Sequence, residues 1–344
     1  MSIFVTGATG FIGRYTCAAL TSQGQHVIAM MRRPEELAAL RTSVTQFGGN
    51  PDLLSAVHGD LDLPNLGVTE VLPTLSAVIH LGARFAWGMS YKAAHRTNVA
   101  GAFSAADLAA EHQCRFLLIT GFMLENLEHL SRLGIHIDQP NTTQWKDVYR
   151  RTGAYEASKL EAAVRLREHC SEKNIELVEI QPATVAGHSQ TGDLDNAQPL
   201  YSLIDNLAKG RLTMVPGSPE HWLPLIPVDV LADIIAAACT ADTPPARILA
   251  LDKHTPNLQP MLSVVAKSLR RNAPQRYLPV PALRWLLRIP GMQTLMRTSI
   301  EALDFIQTTR FDTNTTIAFM QQYHIAMPSI HQVLIKSSER YCAQ

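Results

Sequence analysis

The sequence of 344 residues lacks a net charge and lacks long apolar runs. Its 30 Lys and Arg residues balance 30 Asp and Glu residues, and a neutral surface argues against nucleic acid or an anionic membrane as the main partner. No apolar run reaches the length of about 18 residues that a membrane-spanning helix needs. Met1 is not followed by a basic segment, and "SIFVTG" already has the character of a first strand, so no signal peptide is expected. We therefore expect a soluble, cytoplasmic protein.

The sequence also lacks paired cysteines and metal-ligand spacing. Its five cysteines are odd in number and contain no Cys-x-x-Cys pair, which argues against a disulfide framework and a zinc site. We expect reduced thiols. His26 and His80 stand at the ends of predicted strands, with no carboxylate or second histidine at ligand spacing. A structural or cofactor-adjacent role is favoured for both, and no metal is expected.

Short apolar runs alternate with segments of helical period over about the first 180 residues. This alternation predicts a doubly wound α/β fold, a parallel sheet covered by helices, whose ligands bind beyond the carboxyl ends of the strands. The predicted helices start near Gly10, Glu35, Ser90 and Tyr155. The predicted strands are Ile3–Thr6, His26–Met31, Ser55–Gly59, Ala77–Leu81, Phe116–Thr120 and Leu177–Gln181.

After Pro182 the alternation gives way to loops rich in Gly, Pro and Asp. We predict that residues 1–182 and 225–250 form a dinucleotide-binding Rossmann domain. Residues 183–224 and 251–344 are predicted to form a smaller, mostly helical substrate-binding region. Its segment "VPALRWLLRIPGMQTLM" (280–296) could form core, a dimer surface, a substrate lid or an interfacial membrane anchor. The Pro290-Gly291 break favours core or lid, and a homodimer is left open.

The most specific signal is "VTGATGFIG", which places three glycines between the first strand and the first helix. Gly7 permits a tight turn, Gly10 lets the backbone approach a pyrophosphate, and Gly13 allows close packing of helix on strand. The N–H groups near Phe11 and Ile12 can face the phosphates. This position at the first strand-to-helix junction predicts a dinucleotide site.

The second strand ends in "AMMRRPEE", where a protein selective for NAD normally places an acidic residue. Arg32 and Arg33 stand there instead, and a guanidinium matches a 2′-phosphate. NADP(H) is therefore favoured over NAD(H). Arg14 could help to hold the same phosphate or could lie on the helix surface.

A third pattern, "AYEASKLEAA", places Tyr155 and Lys159 four residues apart and so on one face of a helix. A lysine ammonium beside a phenol stabilises the phenolate and lowers the pKa of the tyrosine. Such a tyrosine can exchange a proton with a carbonyl or alcohol oxygen. With the glycine turn, this pair predicts an oxidoreductase.

Together these motifs resemble the extended short-chain dehydrogenase/reductase family, over most of the chain. "TGATGFIG" is similar to its cofactor turn, "HGDL" to its adenine contact, "VIHLGA" to its fourth-strand segment and "QPATVAG" to the loop that meets the nicotinamide. "LIPVDVLADII" is similar to the segment that returns the chain to the sheet. The resemblance implies that Tyr155 and Lys159 are catalytic, that Lys159 contacts the nicotinamide ribose, and that the cofactor also contacts Gly7, Thr9, Gly10, Phe11, Ile12, Gly13, Asp60, Leu61, Leu81, Gly82, Ala83, Asn98, Pro182 and Val185.

The end of the fifth strand, "RFLLITGFMLE", departs from the family, which has a Ser or Thr there to polarise the reacting oxygen. Gly121 occupies the usual position and Thr120 stands one residue earlier. Because side chains alternate along a strand, Thr120 could point away from the substrate. A local bulge permitted by Gly121 could instead turn it inward. If Thr120 does not assist, a backbone N–H, water or another hydroxyl could.

The region that determines the substrate is rich in Leu, Met, Ile and Trp, which suits a hydrophobic carbonyl compound better than a free sugar. "IPVDVLADII" also resembles the corresponding segment of acyl-thioester reductases. We therefore expect NADP-dependent reduction of a hydrophobic or acyl-type carbonyl, or oxidation of the alcohol. Two alternatives are a nucleotide-sugar epimerase or dehydratase and a non-catalytic NADP(H)-binding sensor or regulatory subunit.

Overall fold

The computed structural model describes residues 1–85, 88–296 and 298–343. Its strands, numbered β1 to β11 along the chain, are Ser2–Thr6, His26–Met31, Leu54–His58, Leu75–His80, Arg115–Ile119, Leu177–Pro182, Thr184–Ala186, Val215–Pro216, Leu225–Pro227, Arg247–Ala250 and Tyr277–Leu278. Its α-helices, α1 to α14, are Phe11–Ser22, Leu37–Gln46, Tyr91–Ala94, Gly101–Glu111, Leu127–Leu133, Trp145–Thr152, Ala154–Glu172, Pro199–Ala208, Val228–Thr240, Leu258–Ser268, Val280–Leu286, Met292–Leu295, Asn314–Gln322 and Ile330–Cys342. Within these ranges no helix combines the length and apolar character needed to cross a bilayer.

Seven strands form one sheet, in the spatial order β10-β6-β5-β4-β1-β2-β3. Strands β1 to β6 pair in parallel; Val5 of β1, for example, lies opposite Ala29 of β2 on one side and Ile79 of β4 on the other. The strand order reverses between β1 and β4, and the carboxyl ends of these strands share one edge of the sheet. This is the doubly wound Rossmann fold, and it confirms the predicted fold class.

The central strands are apolar along their whole length because helices cover both faces of the sheet. Ile3, Phe4 and Val5 of β1 are at most 1% exposed. The predicted strands are all present, and their ends differ from the observed ones by at most two residues. The predicted helix starts near Gly10, Glu35, Ser90 and Tyr155 also correspond to observed helices, α1, α2, α3 and α7; a 3-10 turn, Pro34–Glu36, leads into α2.

The chain divides into two compact units that are each discontinuous in sequence. Unit 1 contains Met1–Gln181, Leu231–Leu249 and Thr315–Ile325, and unit 2 contains Pro182–Val230, Ala250–Asn314 and Ala326–Gln344. Unit 1 differs from the predicted Rossmann domain, since Pro182, residues 225–230 and Ala250 lie in unit 2 and residues 315–325 lie in unit 1. Residues 315–325 belong to unit 1 because α13 contacts the sheet. The Oγ1 of Thr316 on α13 donates a hydrogen bond to the carbonyl of Leu249 on β10, 2.9 Å away.

Unit 2 contains two short parallel pairs, β7 with β9 and β8 with β11, and a helical core. The core is formed mainly by α8, α10 and α14, with buried residues that include Leu200, Ile204, Met261, Leu262, Val333 and Leu334. In the 280–296 segment, Leu283 and Leu287 are buried against Leu303. Trp285 is 66% exposed in the same segment, so only part of it belongs to the core.

Candidate active site

The glycine turn after β1 allows two strand ends to approach closely. Gly7 has a left-handed backbone, with φ +70°, and a Cβ added to it would lie 2.7 Å from the backbone nitrogen of Gly82, just beyond β4. A Cβ on Gly13 would lie 2.1 Å from the carbonyl oxygen of Gly7. Leu81 N also donates to the carbonyl of Thr6, 3.3 Å away. Any larger residue at Gly7 or Gly13 would therefore push the turn away from the sheet.

The N-terminus of α1 is open to an anion. Gly10 is the N-cap residue and supplies no side-chain cap, so the amides of the first turn near Phe11 and Ile12 are left for another acceptor. Thr9 and Gly10 are exposed, as a phosphate contact requires. Within the described part of the chain, the buried Nε of Arg14 on α1 has no hydrogen-bond partner. The uncapped helix start and the exposed Thr9 and Gly10 fit the pyrophosphate of a dinucleotide.

His80 at the end of β4 is part of the support for this turn. The Oγ1 of Thr6 accepts a hydrogen bond from Gly82 N at 3.1 Å and lies 2.9 Å from Nδ1 of His80. Because this hydroxyl accepts from the amide, we assign its own proton to Nδ1. Burial, assisted by the charge of Lys159, lowers the pKa of His80 to about 3. The ring is therefore neutral, and it connects β1 and β4 through Thr6.

The residues predicted to contact the adenine lie beyond β3. Leu61 packs against two glycines: a Cβ on Gly82 would lie 2.7 Å from its Cδ1, and one on Gly101 would lie 3.0 Å from its Cβ. Asp60 Oδ1 accepts from the backbone N of Asp62 at 2.9 Å. The short turn therefore holds Leu61 beside the segment that contains Leu81, Gly82 and Ala83.

Arg32 and Arg33 follow β2 and are both exposed. Nη1 of Arg33 lies 2.7 Å from Oε1 of Glu36 on the following turn. An exposed ion pair of this kind contributes little to stability. A phosphate could therefore displace Glu36 at small cost, and Arg32 needs no such displacement of Glu36.

Asn98 forms hydrogen bonds that connect two segments of unit 1. It lies in a π-helix, His95–Ala100, between α3 and α4, and such turns often occur at functional sites. Its Oδ1 accepts from the backbone N of Arg84 at 2.7 Å, and its Nδ2 donates to the Oγ of Ser158 at 2.9 Å. Asn98 thus joins the segment after β4 to the residue that precedes Lys159.

Tyr155 and Lys159 lie in the first turns of α7. Lys159 Nζ donates to the carbonyl oxygen of Ile119, the last residue of β5, and burial lowers the pKa of this lysine to about 8. The Tyr155 ring packs edge-on against Phe85, with centroids 4.5 Å apart. Burial, and then the charge of Glu156, raise the pKa of Tyr155 above its usual value. The expected lowering by Lys159 is therefore not found in the chain alone, because burial of the phenol dominates.

Thr120 follows β5 directly, one residue before the position that the family uses, and its hydroxyl proton has another acceptor. Its Oγ1 donates to the carbonyl oxygen of Ile180 on β6, 3.2 Å away, and its backbone N donates to the same oxygen at 2.8 Å. Gly121 has an ordinary extended backbone, with φ −172° and ψ 152°. A Cβ on Gly121 would meet no atom within 4 Å. Neither a bulge nor a lack of space therefore explains the glycine.

Sequence reasoning did not identify Glu156, His129 and Gln181. Glu156 is 6% exposed and follows Tyr155 directly; His129 Nε2 lies 2.7 Å from its Oε1. Gln181 at the end of β6 is fully buried, and within the described residues neither atom of its amide has a partner. For Gln181 the available signal was a polar residue inside an apolar strand, as in "LVEIQP"; no comparable signal marked Glu156 or His129.

Two residues predicted to contact the nicotinamide belong to unit 2. Pro182 is the last residue of β6, and Val185 lies in β7. Both are buried within their surroundings. The other predicted site residues all lie in unit 1.

A Tyr-x-x-x-Lys helix that reaches the end of β5, beside a glycine turn at the end of β1, defines a class of protein: the NAD(P)-dependent oxidoreductases of the extended short-chain dehydrogenase/reductase type. Within that class, the chain belongs to the NAD-binding family described as "Male sterility protein", whose model matches residues 5–235.

Curated relatives are much longer proteins. The hybrid PKS-NRPS synthetase poxE of Penicillium oxalicum is 27% identical over 321 residues, which cover 88% of this chain and 7% of poxE. The L-2-aminoadipate reductase large subunit of Penicillium chrysogenum is 27% identical over 270 residues, which cover 71% of this chain and 19% of that protein. The chain therefore spans only a small part of these relatives.

Solved structures share the fold at low identity. The terminal R domain from the myxalamid PKS-NRPS pathway superimposes with a TM-score of 0.76 and 18% identity, covering 99% of this chain and 90% of that one. The UDP-glucuronic acid 4-epimerase from Bacillus cereus, solved in complex with NAD, gives a TM-score of 0.66 and 15% identity, covering 99% and 98%. At such identity these likenesses show the fold alone.

Proposed function

We propose that this chain uses NADPH to reduce the carbonyl of a hydrophobic acyl-type substrate, either a thioester or the aldehyde formed from it. The relatives support an acyl substrate, because they include an aminoadipate reductase and PKS-NRPS synthetases, and the fold is shared with a terminal R domain. The reverse reaction, oxidation of the alcohol, would use the same residues.

One observation carries the proposal: Lys159 donates to the carbonyl of Ile119 at the end of β5. This contact brings the Tyr155 face of α7 to the carboxyl edge of the sheet, the edge on which the Gly7 turn also lies. The proton donor and the dinucleotide turn thus share the edge at which open α/β sheets bind their ligands.

In the proposed reaction, NADPH held at the Gly7 turn and the N-terminus of α1 would supply a hydride to the carbonyl carbon. The O–H of Tyr155 breaks as its proton passes to the carbonyl oxygen, which receives the electron pair of the C=O bond. Lys159, with a pKa of about 8, is mostly an ammonium near neutral pH and stabilises the phenolate that remains. With a thioester, the C–S bond of the adduct would then break as the C=O bond of the aldehyde forms, and the proton of the adduct's hydroxyl would pass to the sulfur, which leaves as a thiol. Reduction of that aldehyde to the alcohol requires a second NADPH.

Three basic residues support NADPH in preference to NADH. Arg32 is exposed immediately after β2, Arg33 is held only by a surface pair with Glu36, and Arg14 has an unused buried donor. A guanidinium forms charge-assisted hydrogen bonds to a phosphate. Where the ribose of NADH carries a hydroxyl, these residues would bind the 2′-phosphate of NADPH.

The test is NADPH oxidation measured against a panel of acyl thioesters, hydrophobic aldehydes and ketones, with nucleotide sugars as controls. We expect turnover with acyl substrates, and Tyr155→Phe should lower kcat by about 10²- to 10⁴-fold while leaving the Kd of NADPH unchanged. Full turnover in the Phe variant would remove Tyr155 from the mechanism. Conversion of a nucleotide sugar without net NADPH oxidation would favour the epimerase alternative, and NADPH binding with no turnover of any compound would favour the regulatory one.

A further inference from the structure

An apolar surface lies on the outer side of residues 280–296, in unit 2. Leu283 and Leu287, four residues apart, are buried, so one side of α11 belongs to a small core. Trp285 and Ile289 are offset from them by two residues, about half a helical turn, and are 66% and 40% exposed. A helix that is apolar all round is normally buried. Within the described residues, the outer side of α11 therefore has no cover.

Contacts inside unit 2 fix the backbone that carries this surface. Near its start, Nη2 of Arg284 lies 2.7 Å from Oδ1 of Asp304. Near its end, the carbonyl oxygen of Met296 accepts a hydrogen bond from Nδ2 of Asn206 on α8, 2.5 Å away. Leu295, just before that contact, adds a third large exposed apolar side chain. The exposed apolar side chains thus project from a backbone that is held at both ends.

The stretch of sequence that contains this surface is basic throughout. Residues 253–300 include eight Lys and Arg residues and no Asp or Glu, although the whole chain has 30 residues of each sign. The neutral total therefore conceals a basic stretch that is balanced by an excess of acidic residues elsewhere. Most of the basic side chains are exposed, namely Lys253, Lys267, Arg270, Arg271, Arg276 and Arg288.

We propose that this outer surface docks the chain on an anionic lipid bilayer. Trp285, Ile289 and Leu295 would insert among the headgroups, and Arg288 would contact lipid phosphates. Trp and Arg suit this interface, because each combines an apolar part with a polar or charged one. The basic stretch would supply the attraction to a negatively charged leaflet, and the apolar side chains would supply the buried area. The inference goes beyond the proposed reaction and does not depend on it.

Protein partners fit this surface less well than a bilayer does. In a two-fold dimer the same surface would meet itself, and two basic stretches would then face each other. Like charges brought together in an interface oppose association. An acidic protein would match the charge, but the apolar area of three side chains is small against the about 800 Å² that each partner buries in a standard interface. Insertion into headgroups needs only a few apolar side chains when basic residues assist.

The direct test is cosedimentation of the full chain with lipid vesicles, without NADPH or substrate. We expect binding to vesicles of phosphatidylcholine mixed with phosphatidylserine, weak binding to phosphatidylcholine alone, and release at high salt because salt screens the attraction. Trp285→Ala combined with Ile289→Ala should weaken binding by about tenfold or more. The matched control is Leu127→Ala in unit 1, which truncates a side chain of similar exposure, 67%, and should leave binding unchanged.

A second set of variants tests the charge and the point of contact. Arg288→Glu should weaken binding severalfold. Arg132→Glu makes the same change of net charge at an exposed site in unit 1 and should not weaken it. The chain contains 4 tryptophans, and Trp285→Phe should remove most of the fluorescence blue shift that vesicles induce while the variant still sediments with them.

Three results would overturn the inference. The first is no binding to the mixed vesicles, or binding that the Trp285→Ala and Ile289→Ala double variant retains in full. The second is a dimer of the full chain that the same double variant dissociates, which would assign the surface to a second copy. The third is binding to polyglutamate as tight as to vesicles and equally weakened in the double variant, which would assign it to an acidic protein. Failure to reduce acyl substrates would contradict only the proposed reaction, since vesicle binding is measured without them.

Discussion

The ammonium of Lys159 on α7 donates a hydrogen bond to the carbonyl oxygen of Ile119, where β5 ends. Burial lowers the pKa of this lysine from 10.5 to about 8, so the charged form is less stable in the folded chain than in water. Burial of this charge therefore opposes folding at neutral pH, and the hydrogen bond to Ile119 offsets only part of that cost.

We predict that Lys159→Met abolishes most turnover but does not destabilise the chain near pH 7. Removing the buried charge should raise the free energy of unfolding by about 1–3 kcal/mol, less the lost hydrogen bond. Between about pH 8 and 10.5 the unfolded lysine holds a proton that the folded one has lost, so this residue makes the wild type more stable as the pH rises. Urea unfolding at several pH values measures both effects. A variant that is less stable than wild type below pH about 8 would contradict the account.

Thr120→Val should affect stability more than catalysis. Its hydroxyl donates to Ile180 at 3.2 Å, so its loss leaves a buried carbonyl with one bond fewer and should cost about 0.5–1.5 kcal/mol. Turnover should stay close to that of the wild type. Thermal unfolding and steady-state kinetics on the same preparation compare the effect of Thr120→Val on stability with its effect on catalysis. A loss of about a hundredfold in kcat/KM would show that Thr120 polarises the reacting oxygen.

Gly121→Ser should be tolerated and should raise turnover. The backbone at Gly121 is extended, and a Cβ there meets no atom within 4 Å, so a side chain fits without strain. The serine would place a hydroxyl at the position the family uses, and one such donor is worth about tenfold or more in rate. Gly121→Ala is the control, because it fills the same space without the hydroxyl. Equal rates in the Ser and Ala variants would show that the position does not face the substrate.

Arg32→Ala combined with Arg33→Ala should weaken NADPH binding without affecting NADH. Each charge-assisted bond to the 2′-phosphate contributes about 1.5–3 kcal/mol, or at least tenfold in Kd. Arg32→Ala alone should cause the larger loss, because Arg33 must first leave Glu36. Fluorescence titration with both nucleotides gives the ratio of the Kd of NADPH to the Kd of NADH for each variant. If both Kd values are unchanged, the 2′-phosphate must bind elsewhere, and Arg14→Ala becomes the next variant to test.

The sequence predicted the sheet and the glycine turn well because both depend on local patterns. A buried parallel strand needs a continuous apolar run, and the β1–α1 turn needs glycine at Gly7 and Gly13 because backbone atoms approach within van der Waals distance. The helix that carries Tyr155 and Lys159 was also predicted, because a spacing of four residues is typical of one helix face, while the catalytic role of the pair stays a prediction. These features require no knowledge of which distant residues meet.

The hydrogen-bond partners and pKa values in the candidate site depend on contacts between residues far apart in sequence. The Thr120 hydroxyl donates a hydrogen bond to the carbonyl of Ile180, 60 residues away in sequence. The carboxylate of Glu156 lies within hydrogen-bond distance of His129, 27 residues away in sequence. No pattern along the chain identifies these partners. The pKa of Tyr155 was misjudged for the same reason, since the effect of a nearby lysine was visible in the sequence and the burial of the phenol was not.

The discontinuity of unit 1 has a consequence for synthesis and for fragments. On the side away from β5, the neighbour of β6 in the sheet is β10; Glu179 N of β6 donates to the carbonyl of Ala246, just before β10, at 2.9 Å, and more than sixty residues separate the two strands in the chain. Until β10 has left the ribosome, β6 is an open edge with unsatisfied backbone groups, which other chains can pair with. A fragment cut at Gln181 would keep that edge permanently. It should aggregate, although it contains the glycine turn, Tyr155 and Lys159.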